Sequence, residues 1–91
     1  MSVADALRAA IHARLPDLVE TAYRTESWHS ATFTGTRHIF AFELAISADV
    51  VAFARDMAEA EIVVPHGFVA DVAVTGSDAG RIEVAALTID G

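Results

Sequence analysis

From Arg37 to Ile46 the chain alternates with a strict period of two. His38, Phe40, Phe42, Leu44 and Ile46 fall on one side, and Arg37, Ile39, Ala41, Glu43 and Ala45 on the other. A strand separates residues this way, because its successive side chains point to opposite faces. The first set is expected to face a core and the second to face away. The chain must therefore build a sheet with one covered face, and its other segments must supply partner strands and a cover.

The cover is expected from two helices. Ser2 and Asp5 form a capping-box-like start. Val3, Leu7, Ile11, Leu15, Leu18, Val19 and Ala22 then recur at steps that mostly suit a helical stripe. Pro16 interrupts this stripe at a cost of about 3 kcal/mol. The expectation is a kink or break there, with Pro16 in the first turn of a second helical segment. A later helix is expected after Ser47 as cap, with Asp49 in its first turn. Its stripe is Val50, Phe53, Ala54 and Met57, and Arg55, Asp56 and Glu59 face water.

Trp28–Phe33 reads as the strand before Arg37–Ile46, with Thr34-Gly35-Thr36 as the turn between them. That hairpin would set Phe33 opposite His38, Ala31 opposite Phe40 and His29 opposite Phe42. After Pro65-His66-Gly67, Phe68–Thr75 reads as a third strand. Phe68, Ala70, Val72 and Val74 are expected inward, and Val69, Asp71, Ala73 and Thr75 outward. Gly76–Gly80 is a hairpin loop by composition. Arg81–Ile89 is the last strand, and its phase slips at Ala85-Ala86. A bulge there would keep Ile82, Val84, Leu87 and Ile89 all inward. The expected core is Phe40, Phe42, Phe53, Val72, Val84 and Leu87.

The resulting order is α-β-β-α-β-β in a single α+β domain spanning residues 1–91. The sheet is expected to be four-stranded and mainly antiparallel, with both helices on one face. A circularly permuted ferredoxin-like sandwich would give the same order, which is an analogy of connection and says nothing of function.

Charge excludes some functions. The chain carries thirteen acidic residues against six basic ones, all arginine, for a net charge of −7. Phosphate backbones are bound by clustered Lys and Arg, so no nucleic-acid partner is expected, and no anionic membrane surface either. No apolar run approaches the ~18 residues of a membrane span. Cysteine is absent, which removes disulfides, thiolate catalysis and Cys-ligated zinc. The start, Met1-Ser2-Val3-Ala4-Asp5, does not read as a secretory signal, and a cytoplasmic chain is expected.

Candidate chemistry is sparse. His12, His29, His38 and His66 form no short-range metal pattern. No catalytic, cofactor-binding or metal residue is assigned, and an enzyme is not favoured. His12 reads as a boundary residue of the first helix. His29 and His38 share the face of Phe40 and Phe42, which suits buried neutral rings. His66 is the candidate functional loop residue, because loops on rigid scaffolds often carry function. Asp71 is its nearest potential carboxylate partner along the chain.

The outward sheet face is the candidate interface. It is expected to hold Trp28, Ser30, Thr32 and Thr34, then Arg37, Ile39 and Glu43. Trp28 and Ile39 stand out on a polar surface, and aromatic and Arg residues are enriched at binding hot spots. A homodimer through Trp28, Arg37, Ile39 and Glu43 is the leading expectation, with Arg37 of one copy near Glu43 of the other. The alternatives are a small-ligand or metal-dependent enzyme using His66 with His29 or His38, and a ligand-binding cleft between helices and sheet. A further protein or small-molecule partner stays open.

Overall fold

The computed structural model describes residues 1–44, 49–76 and 80–90. The strand read from alternation is β2, Thr34–Glu43, and it lies inside a four-stranded antiparallel sheet. Its partners are β1 (Val19–His29), β3 (Gly67–Gly76) and β4 (Arg81–Asp90), in the order β1-β2-β4-β3. Helices α1 (Val3–Arg14) and α2 (Val50–Glu59) complete the α+β fold. Moving the first strand of a β-α-β-β-α-β sandwich to the end yields this same strand order.

Both helices cover one face. Ala6, Leu7 and Ile11 of α1, and Phe53 and Met57 of α2, share a buried cluster with Phe40, Phe42, Ile82, Val84 and Ala86. Phe40, Phe42 and Val84 are fully enclosed, while Val72 is half-buried against them. The Ser2 hydroxyl caps α1 by accepting from the Asp5 N–H at 3.1 Å. Asp49 is the cap of α2, its carboxylate accepting from the Ala52 N–H at 3.0 Å. The cap expected at Ser47, the inward Ile46 and the outward Ala45 lie outside the described residues, as does the centre of the Gly76–Gly80 loop.

The first hairpin departs from expectation. Helix α1 ends at Arg14, and Pro16 opens no second helical segment. Leu18 is buried beyond the helix, and Val19 and Ala22 already belong to β1. The stretch Thr21-Ala22-Tyr23-Arg24-Thr25 is rich in β-formers, and tertiary pairing wins over the apolar spacing. The turn is Ser30–Phe33, not Thr34-Gly35-Thr36. The Ser30 N–H donates to the Phe33 carbonyl at 2.9 Å, and the Phe33 N–H donates to Ser30 Oγ at 3.0 Å. Thr25, Tyr23 and Glu20 thus lie opposite His38, Phe40 and Phe42. Phe33, Ala31 and His29 do not. A bulge at Thr21 shifts the register of β1.

The second hairpin corrects the phase of two strands. β4 pairs with β2 without interruption from Arg81 to Ile89, so no bulge sits at Ala85-Ala86. Ala86 and Thr88 therefore face inward, while Leu87 and Ile89 face outward. Leu87 is buried as expected, but on the opposite face from Phe40 and Phe42. The bulge lies at Ala70 in β3, between Val69 and Asp71. It turns Val69 inward against the core and leaves Phe68 outward, reversing both expectations.

Candidate functional site

The outward face can be read row by row from the pairing. One row is Trp28, Gly35, Ile89 and Phe68. The next is Glu26, Arg37, Leu87 and Asp71, followed by Arg24, Ile39, Ala85 and Ala73. Further along come Ala22, Ala41, Glu83 and Thr75, and the last row sets Glu43 between Val19 and Arg81. Of the residues expected here, Trp28, Arg37, Ile39 and Glu43 share the face. Ser30 and Thr32 lie in the turn, and Thr34 has the inward phase.

Neither α1 nor α2 covers this face, yet Ile39, Leu87 and Ile89 are only 5%, 9% and 4% exposed. Their large neighbours on the same face are Trp28, Arg24, Arg37 and Phe68. Long side chains cover apolar surface with their stems while their heads reach water. Arg24 also pairs with Glu26 at 3.3 Å. The exposed large apolar side chains of the face are Phe68 at one end and Val19, 60% exposed, at the other. Trp28 is half-buried and Phe68 is 52% exposed. Phe68 was missed because the Ala70 bulge leaves no residue signal: alanine is ordinary in a strand, and only the pairing reveals the shift.

The second place with chemistry is on the inward face. Tyr23 Oη lies 2.8 Å from His38 Nδ1, and His38 Nε2 lies 3.3 Å from Thr88 Oγ1. The Thr88 hydroxyl donates to the Thr36 carbonyl at 3.3 Å. One assignment satisfies the whole chain: the Tyr23 O–H donates to Nδ1 of a neutral ring, and Nε2–H donates to Thr88. His38 is buried, and that burial lowers its pKa from the usual histidine value. Burial also raises the pKa of Tyr23, with Glu20 in the same direction and the Arg8 charge opposing.

Arg8 closes the top of this relay. Its guanidinium lies 4.7 Å from the Tyr23 ring centre and 5.3 Å from that of Phe40. It donates to both oxygens of Glu20, at 2.8 and 3.1 Å, and to Asp5 at 3.3 Å. His12 binds α1 to the following turn, its ring nitrogens 3.0 Å from the Arg8 carbonyl and 3.1 Å from that of Leu18. These polar groups hold helix to sheet.

The other histidines do not join them. His29 shares the inward phase of His38 but sits four positions further along the hairpin, opposite Thr34, and is exposed. His66 occupies a left-handed turn with φ of 60° and is exposed. Asp71 faces outward beyond the Ala70 bulge. Among the described residues, no three His, Asp or Glu side chains are grouped to hold a metal ion. The cleft between α2 and β3 measures about 170 Å³, lined by Met57, Ala60, Val69 and Val72 among others. None of the described helices is long and apolar enough to cross a membrane.

No family model matches the chain, and neither a curated protein nor a solved structure matches it.

Proposed function

We propose that the chain is a non-enzymatic interaction module that works as a homodimer through the outward sheet face. The observation that carries this is the placement of both helices on one side, with Trp28 and Phe68 left partly in water on the other. Four strands at about 4.8 Å spacing and about 33 Å length make a face of roughly 600 Å². Two such faces bury about 1,200 Å² in total, the lower end of a standard stable interface. Arg37 and Glu43 lie within the contact on β2, and Ile39 between them is already buried in one copy. Apolar area removed from water stabilises association by about 25 cal/mol per Å² before the costs of binding. In this assembly the inward relay of Tyr23 and His38 has a structural role.

Light scattering across a wide concentration range tests the proposal. A mass of twice 9.6 kDa is expected at micromolar concentration. Trp28→Ala is expected to lower that mass with little change in the circular dichroism spectrum. A single-chain mass at every concentration rules the homodimer out. A Trp28→Ala variant that stays dimeric but melts lower assigns Trp28 to the monomer's own packing.

A further inference from the structure

We propose that the two copies stack about a twofold axis running along the strands, midway between β2 and β4, so that Trp28 of each copy meets Phe68 of the other. This rests on the outward-face dimer above and adds its register. It is motivated by the order of sizes across one row: Trp28, Gly35, Ile89, Phe68.

A twofold contact is self-complementary. An axis along the strands exchanges β1 with β3 and β2 with β4, while each row stays level with itself. Trp28 then meets an aromatic ring, and the low pair of Gly35 and Ile89, in which Ile89 already lies beside Gly35 within one copy, meets the same pair of the other. Gly35 has no room for a side chain even within its own copy, since a Cβ there would lie 2.3 Å from the Thr88 carbonyl oxygen. Two rows further on, Ile39 meets Ala85 and Arg24 meets Ala73, a larger residue against a small one each time. In the last row Glu43 meets Arg81, opposite in charge. Only Glu26 against Asp71 is a like-charge encounter, and Arg37 stands in that row next to Glu26.

The other in-plane axis, perpendicular to the strands, would lay Arg37 over Glu43 of the second copy. With that pair superposed, the row of Trp28 and Phe68 is carried past Glu43, where β2 ends. Both aromatics would then face no strand of the other copy. Aligned sheets pack with their strands within about 30° of each other, and twist widens the gap toward the corners. Trp28 and Phe68 sit on the outer strands and are the side chains long enough to bridge it.

Trp28 is the only tryptophan in the chain, so its emission reports this contact alone. The experiment follows emission maximum and light-scattering mass together over a dilution series. A blue shift that tracks dimer formation is expected. Phe68→Ala is expected to raise the dimer Kd at least about tenfold and to remove the shift, and Phe68→Tyr to restore both. Phe33, equally exposed at 52% but in the turn, is the control, and Phe33→Ala is expected to leave both unchanged. A dimer whose Trp28 emission does not move, or that survives Phe68→Ala unweakened, overturns the register while leaving the outward-face dimer standing. Phe33→Ala weakening the dimer as much as Phe68→Ala overturns it also. A single-chain mass throughout overturns both proposals.

Discussion

The two faces of β2 are buried by different means. Inward, Phe40 and Phe42 are enclosed by α1, α2 and the neighbouring strands. Outward, Ile39 is almost equally buried, but neither α1 nor α2 stands over it. The inward face is closed by apolar packing and a satisfied polar relay. The outward face has neither α1 nor α2 over it, and its large residues are flanked by neighbours of the same sheet. Burial within one chain is therefore a poor guide to what a residue contributes. A residue sealed by jigsaw packing leaves a cavity when truncated, whereas one covered by flexible side chains lets them settle inward.

Phe42→Ala is expected to cost about 3–5 kcal/mol and Ile39→Ala about 2 kcal/mol, measured by urea unfolding at a concentration where association is absent. Equal costs would remove the distinction between the faces. Tyr23→Phe is expected to cost about 1–2 kcal/mol, because it leaves His38 Nδ1 buried without its donor. A neutral result would show that the relay contributes only shape.

The smallest expected effect is in pH. The folded-state pKa of His38 is depressed, so the unfolded chain takes up the proton first. The stability this neutral ring contributes is complete above the unfolded value of about 6.5. It is lost as pH falls through the folded value. Unfolding midpoints measured from pH 8 to pH 5 are expected to fall more steeply for the parent than for His38→Gln. Parallel curves would locate the pH sensitivity elsewhere and weaken the view that the inward face is sealed.

The inward stripe of β2 and the stripe of α2 were legible because each keeps one period over a long run. His38, Phe40 and Phe42 on one side, and Phe53 with Met57, need no tertiary information. The end of α1 was not legible. Leu15, Leu18 and Ala22 continue an apolar helical spacing, while strand pairing of Tyr23 with Phe40 is a long-range event invisible to a local window. With Tyr23 read as part of the helical tract, His38 had no visible partner. Trp28 was correctly turned outward because its phase survives the change in strand boundaries. Phe68 was not, since one extra residue at Ala70 inverts everything before it. The outward set of Trp28, Arg37, Ile39 and Glu43 was thus readable, and its aromatic counterpart on β3 was not.

The bulges at Thr21 and Ala70 fall on β1 and β3, the two outermost strands. Each breaks the run of evenly spaced backbone groups along the sheet's margin. β1 keeps a straight stretch after its bulge but presents Arg24 and Glu26 along it, and β3 has only six residues from Asp71 to Gly76. Neither margin offers the long flat template along which sheets extend into fibres. In the proposed dimer, two copies would meet across a face while their margins oppose further addition, at the expense of two irregular residues in each chain.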